Sequence, residues 1–452
     1  GCRVLNIEAV KPKKTGARSL VKCLVCGEIF DSSLEICPVC GVGKENFVPV
    51  EAEENSFSNN TKEYYVILGN GTAGFNAAKA IRERDKTGTV ILISEEPYRT
   101  YNRPMLTKTM LADLSADQIA VELESWYEEN QVYQMLGKRV VSVDMENSQV
   151  TLDDGSNIHF TRLIYALGSE CFPPIKGSDR EQVVAIRRMA DVEKLSGLLG
   201  HTRNAVVIGG GVLGLEAAWE LKKAGLRVTV LEAAPMLMGR QLDATAGTIL
   251  KEIVEKNGIS IHTGVTIESI DADESGAVSG VTLQSGESFP AQLVIISAGV
   301  RANTALAKEM GLQVERAVVV NSHMETGLKN IYACGDCAQY KGANFAIWPE
   351  ASEQGRIAGA NAAGDSLEYR EVSSALTFNG MNTSLYAAGD NGKNPNLLYK
   401  TVEFKDMGKE QYRKYYFLNN RLCGIILIGD LSRMARMAEE LERHASFEEV
   451  MK

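Results

Sequence analysis

The chain has no uninterrupted apolar run approaching the length of a membrane span, so a bilayer-crossing helix is not expected. It has no excess of positive charge: the formal net charge is −10, which argues against a nucleic-acid-binding surface as its main business. Its five histidines (His159, His201, His262, His323, His444) stand apart from one another and form neither a metal set nor a catalytic pair. Between Gly41 and Cys171 there is no cysteine at all, which excludes thiol-based disulfide exchange or sulfenate chemistry there. Signal-peptide texture is also lacking, and a reducing cytoplasm is the simplest compartment for nine cysteines that make no disulfide scaffold. The sequence starts at Gly1, so an upstream segment stays open.

The 452 residues carry 41 glycines, a load that suits tight turns and close approaches of backbone to ligand. Residues 1–19 form a basic arm; through Lys22 there are six Lys or Arg against one Glu. A cysteine module spans 20–50, and "EAEENSFSNNT" (51–61) is acidic, Asn/Ser-rich and nearly free of apolar residues, which predicts a flexible linker.

The cysteine module holds two C-x-x-C pairs, Cys23/Cys26 and Cys37/Cys40, separated by ten residues. Each pair can bend into a knuckle whose following glycine (Gly27, Gly41) relieves the turn and lets backbone N–H groups face the sulfurs. Four thiolates in a tetrahedron suit Zn²⁺ or a single iron, and the spacing alone does not separate the two.

From Glu63 the texture changes. "YYVILGNGTAGFNAAKAIRERD" reads as strand, glycine turn and helix, and "TVILISEE" closes a βαβ unit. The same grammar returns about 140 residues later in "AVVIGGGVLGLEAAWELKKAG" and "RVTVLEA". In the first cradle, Gly69 makes the turn, Gly71 lets backbone approach a pyrophosphate and Gly74 packs helix on strand; Glu95 ends the next strand, placed to accept ribose hydroxyls. Gly209, Gly211, Gly214 and Glu232 repeat the pattern. A carboxylate at Glu232 would repel a 2′-phosphate and no Arg or Lys follows at once, so NADH is expected rather than NADPH.

Residues 63–364 resemble the pyridine-nucleotide-dependent FAD reductase superfamily in "LIYALGS", "IISAGVRANTALA", "RQLD" and "NIYACGDCA", and look most like NADH:rubredoxin oxidoreductases and the electron-input domain of nitrite reductases. Leu167 departs from the usual Thr of that turn. The resemblance implies an α/β fold with two Rossmann-type domains, one for FAD (62–172 and 293–365) and one for NAD(H) (173–292); beyond it, residues 366–452 mix strands ("KYYFLNNRLCGIILIGD") with an amphipathic helix from about Leu431, carry no assignable motif, and read as a C-terminal α+β interface or cap domain. The resemblance implies that Asp336 holds the FAD ribitol, and that the helix after "FAIWPEASEQG" points its N-terminus at the flavin pyrimidine edge, with Trp348 covering a flavin face. It also implies that Lys108, in "EEPYRTYNRPMLTK", sits near flavin N5 with Glu216 as ion-pair partner, and that Arg103 reaches an FAD phosphate. Cys334 and Cys337 flank Asp336 and read as small packing residues, not a redox pair.

The module itself resembles rubredoxins, closely in "CPVCGVGKENF" and also in "CLVCGEIFD", though its inter-knuckle loop is shorter. This favours iron over zinc. The expected function is transfer of electrons from NADH through FAD to a one-electron Fe(Cys)4 centre and on to an external acceptor: a rubredoxin, a diiron or flavodiiron protein, or a partner enzyme. An eleven-residue flexible linker spans roughly 17–20 Å on average and stretches to about 36–40 Å, which would let the module dock near the flavin and swing away. The rival expectations are an NADH oxidase with a structural zinc knuckle and a flavin-containing redox-sensing or docking protein. Monomer and homodimer are both open.

Overall fold

The computed structural model describes residues 19–25, 27–39, 41–50, 55–108, 110–171, 175–371 and 375–452. Two five-stranded parallel sheets form its centre. In the first, Ile331–Ala333, Arg162–Tyr165, Tyr64–Leu68, Thr89–Ile93 and Val132–Met135 lie side by side in that order. The second has the order Val183–Val184, Leu293–Ile296, Asn204–Ile208, Arg227–Glu232 and Ser260–Thr263. The strand that feeds each glycine turn is central: Tyr65 through Leu68 and Val206–Val207 are 0% exposed, which explains their unbroken apolar runs. In both sheets the chain order reverses beside this strand, and that reversal opens a crevice at the strands' carboxyl ends.

The two units interleave. Ile331–Ala333 pairs with Arg162–Tyr165, so the chain returns to the first unit after building the second. The return falls later than residue 293, however, because Leu293–Ile296 is hydrogen-bonded into the second sheet against Asn204–Ile208. A small three-stranded antiparallel sheet accompanies each unit: Val140–Asp144, Gln149–Leu152 and Asn157–His159 with the first, and Ile267–Ala272, Val278–Leu283 and Ser288–Pro290 with the second.

The C-terminal sheet is antiparallel, in the order Ala375–Gly380, Thr383–Gly389, Arg421–Ile428, Gln411–Leu418, Lys400–Asp406. Its three central strands are largely apolar on both faces, and their alternate residues go to different cores. Leu385, Ala387, Tyr412, Tyr416, Ile426 and Ile428 join the second unit's core. Tyr386, Ala388, Tyr415, Phe417, Ile425 and Leu427 join an outer cluster with the helix Met434–Glu442.

In the cysteine module, Leu20–Cys23 pairs antiparallel with Ile29–Asp31 on one side and Phe47–Val50 on the other. The expected flexible linker is overturned for residues 55–61, which are strapped to the body. Asn59 N–H donates to Arg84 O (2.8 Å), its side chain donates to Ala363 O (3.2 Å), and Thr61 N–H and hydroxyl both donate to Asp85. Asn and Ser look like linker residues because their side chains satisfy backbone groups, and here those groups belong to the neighbouring helix ends. No helix among the described residues is long and apolar enough to cross a membrane.

Candidate functional site

The two cradles have the same construction. Gly69 and Gly209 sit at φ 99° and 115°, where a Cβ would lie 2.1 Å from Ala166 O and 2.2 Å from Ser297 O. A Cβ on Gly74 or Gly214 would lie 1.8 or 2.0 Å from the carbonyl oxygen of the first glycine. Gly71 and Gly211 meet nothing within 4 Å. Two glycines in each motif are therefore demanded by the protein itself, while the middle one faces open space at a helix N-terminus, where a pyrophosphate fits.

The helix of the first cradle has a close partner. Thr72–Arg84 packs against Trp348–Ala362 so closely that a Cβ on Gly355 or Gly359 would lie 2.2 Å from Ala73 O or Ala77 O. The helices run in parallel, and the Thr72 and Ser352 hydroxyls are 2.7 Å apart. Thr72 is the first residue of its helix and Ser352 the fifth of the other, so the second helix starts about one turn further out. Glu350, in the first turn of the second helix, is buried and accepts hydrogen bonds from Phe345 N–H (3.3 Å) and Tyr369 OH (3.2 Å); burial pushes its carboxyl up.

Asp336 follows Gly335, whose N–H donates to Gln354 Oε1 (2.9 Å). The Asp336 carboxylate accepts from Ser169 Oγ (2.7 Å) and lies 3.6 Å from Arg187 Nη2. Cys334 and Cys337 are fully buried on either side, and burial raises both thiols, Cys337 to about 12. Cys337 Sγ donates to Cys334 O (3.2 Å), so these neutral thiols serve packing, in keeping with the sequence reading.

Glu95 is exposed and ion-paired with Arg188 (3.2 Å). Glu232 accepts from Gly210 N–H (2.5 Å) and Ala234 N–H (2.8 Å), which fixes its carboxylate at the mouth of the second cradle. The Arg103 guanidinium is held by Glu96 (2.7 Å), Tyr101 OH and Arg187 O (both 2.8 Å), an arrangement that ties the YNRP turn together.

Lys108 and Glu216 meet across the two units. Lys108 Nζ lies 2.8 Å from Glu216 Oε1, and Thr107 Oγ1 donates to Glu216 Oε2 at 2.6 Å. Glu216 is 5% exposed on the helix Val212–Lys223, so its charge is compensated by these two donors where water is largely excluded. Thr107, Ser169, Arg187 and Arg188 escaped the sequence reading. Their partners lie 109, 167, 149 and 93 positions away, and no local pattern marks such contacts.

In the module, the described parts of both knuckles have matching geometry. Gly27 N–H donates to Cys23 O (2.8 Å) and Gly41 N–H to Cys37 O (3.0 Å), with both glycines at positive φ (78° and 76°). Cys23 and Cys37 are 0% and 1% exposed and belong to one apolar cluster. Cys26 and Cys40 lie outside the described residues, as does the basic arm through residue 18. Among the described residues no group of three or more His, Cys, Asp or Glu gathers for a metal. Trp348 is half-buried and packs against the module's cluster.

Two dinucleotide cradles, each at the carboxyl edge of a parallel sheet, with a buried ion pair bridging them, define a two-cradle nucleotide-dependent oxidoreductase. The chain belongs to the pyridine nucleotide-disulphide oxidoreductase family, which matches residues 64–355. Residues 375–445 match the rubredoxin NAD+ reductase C-terminal domain. The chain is 34% identical to the nitrite reductase [NAD(P)H] of Bacillus subtilis over 396 residues, 86% of this chain and 48% of that protein. With the NADH-rubredoxin oxidoreductase of Clostridium acetobutylicum it shares 29% identity over 85% of this chain and 96% of the relative. The crystal structure of that organism's NADH:rubredoxin oxidoreductase superposes with a TM-score of 0.69 at 29% identity, covering 86% of this chain and 97% of that one. Rubredoxin-NAD(+) reductase of Pseudomonas putida is 36% identical over 60% of this chain and 71% of its own length. The chain spans about half the length of that nitrite reductase and of the assimilatory nitrate reductase electron transfer subunit of Bacillus subtilis.

Proposed function

We propose that the chain is an NADH-dependent FAD oxidoreductase that passes electrons from NADH through FAD to a one-electron Fe(Cys)4 rubredoxin-type centre at Cys23, Cys26, Cys37 and Cys40, and on to an external acceptor. The observation that carries this reading is the pairing of two open cradles with a module whose knuckles, in their described parts, have the turn geometry of a thiolate cage. The naming of relatives as NADH-rubredoxin oxidoreductase and rubredoxin-NAD(+) reductase supports the same choice.

The residues present suit FAD in the first cradle: an open Gly71, the helix start that follows it, and Asp336 with oxygens left to accept from a ribitol. Bound there, FAD supplies the conversion of a two-electron hydride into single electrons. Glu232 accepts the adenosine ribose hydroxyls of NADH in the second cradle. Lys108 puts a positive charge beside the reacting edge, and Glu216 with Thr107 holds that ammonium in place. The Trp348 helix adds its positive end on the pyrimidine side. One NADH gives two electrons and one proton, becoming NAD⁺; two successive one-electron reductions of acceptor consume the pair. With no cysteine between Gly41 and Cys171, no disulfide intervenes.

Metal analysis and an absorption spectrum of the purified protein test the cage. Iron near one per chain, with thiolate-to-iron visible bands, is expected; zinc in its place would reduce the module to a structural clip.

A further inference from the structure

Electron-carrier modules on tethers work either by swinging or by staying put, and the described contacts bear on which applies. The body of the protein begins at Asn55, whose side chain donates to Glu83 O (3.5 Å); Phe57 then lies against Gly364, before the Asn59 and Thr61 bonds. The module's last strand ends at Val50. Only residues 51–54 join the two, so five Cα-to-Cα steps limit the tether to about 19 Å when fully extended.

The module also has a seat made by three separate parts of the body. Asn102 Nδ2, in the YNRP turn, donates to Pro38 O inside the second knuckle. Trp348, at the start of the helix Trp348–Ala362, packs against the module's apolar cluster. Lys22 is ion-paired with Glu442 of the C-terminal helix at 3.3 Å. Beneath these contacts, Cys23, Val25, Phe30, Cys37 and Val39 share one apolar cluster with the outer face of the C-terminal sheet. Burying that cluster costs nothing in tether entropy beyond a link already short.

We infer that the cysteine module is a fixed relay: it stays seated between the YNRP turn, Trp348 and the C-terminal helix through turnover, and an external acceptor meets it there. The relay role rests on the function proposed above; the seat does not.

The test is zero-length carbodiimide cross-linking of the full-length holoprotein, oxidised and NADH-reduced, with peptide mapping for a Lys22–Glu442 amide. A Glu442→Gln protein treated identically is the control. A seated module gives the cross-link in both redox states and none in the control. Cross-linked protein then keeps at least about half of the control's rate of cytochrome c reduction, because no excursion is needed. Absence of the cross-link overturns the seat. A cross-link accompanied by loss of more than about half of the control's rate of cytochrome c reduction overturns the fixed relay in favour of a swinging arm. Should the module prove to hold zinc, the iron bands will be missing before any treatment. That result sinks the electron-transfer reading, and cross-link yield alone then decides the seat.

Discussion

In the proposed reaction Glu216 is the anchor of the Lys108 ammonium. A carboxylate 5% exposed is costly unless its oxygens are satisfied, and here one takes Lys108 and the other Thr107. Replacing Lys108 by Met leaves that charge with one neutral donor and removes the cation beside the flavin edge. Hydride uptake from NADH, followed as loss of flavin absorbance in a stopped-flow instrument, is expected to slow about 10²-fold, or roughly 3 kcal/mol. A Lys108→Met rate equal to wild type would remove Lys108 from the mechanism. Thr107→Val should give a smaller defect that Thr107→Ser restores. A second residue-scale effect concerns acid. Asp85 is fully buried, and burial opposes its ionisation, but Thr61, Gly88 N–H, Tyr65 OH and Thr87 N–H together hold its carboxyl at about 2. Its folded pKa lies below the unfolded value near 3.9, so its contribution is complete above about pH 4 and is lost as pH falls toward 2. An Asp85→Asn protein should lose stability at neutral pH while showing a shallower acid-denaturation slope between pH 4 and 2. Equal slopes for the two proteins would contradict this. Lys108 and Glu216 were legible only through family resemblance; Thr107 was not legible at all, since an ordinary Thr before a Lys carries no sign of a carboxylate 109 positions away.

At the scale of elements, the most exacting contact is the parallel helix pair, Thr72–Arg84 with Trp348–Ala362. Glycine inside a helix ordinarily costs about 1 kcal/mol relative to Ala. At Gly355 and Gly359 it is required, because a methyl would lie 2.2 Å from a backbone carbonyl of the facing helix. Gly355→Ala must therefore push the helices apart, and with them the start of the helix Thr72–Arg84 that closes the first cradle. The expected outcome is a fall of at least about 2 kcal/mol in stability and a weaker grip on FAD, read by thermal melts and flavin release on dilution. A melt and flavin retention like wild type would rule out the close packing. The strand, glycine turn and helix of each cradle, by contrast, were legible in the sequence because that pattern is local, and Gly74 and Gly214 are demanded by a glycine five residues earlier, although the carbonyls that demand Gly69 and Gly209 belong to the distant Ala166 and Ser297. The strap 55–61 was misread as a linker because its partners, Arg84, Asp85 and Ala363, are distant. For the second cradle, Glu232→Ser combined with Ala233→Arg should raise the preference for NADPH over NADH at least about tenfold in kcat/KM by removing a repulsion and adding a phosphate partner. An unchanged preference would mean that Glu232 does not face the 2′ position.

Across the whole molecule, three bodies meet at the C-terminal sheet. Its inner face completes the core of the second unit and its outer face receives both the C-terminal helix and the cysteine module. The composition of that segment showed a mixed α+β region without a motif, and its role became visible only when alternate residues were seen to enter different cores. The module thus rests against the YNRP turn on one side and, on the other, against the sheet whose inner face completes the second unit. The most direct test is anaerobic stopped-flow mixing of the iron-loaded protein with NADH, recording flavin and iron–thiolate absorbance together. Decay of the flavin bands accompanied or followed by bleaching of the iron bands, with a Cys23→Ala protein showing only the flavin change, is the predicted result. Full flavin reduction with iron bands that persist unbleached would contradict the account.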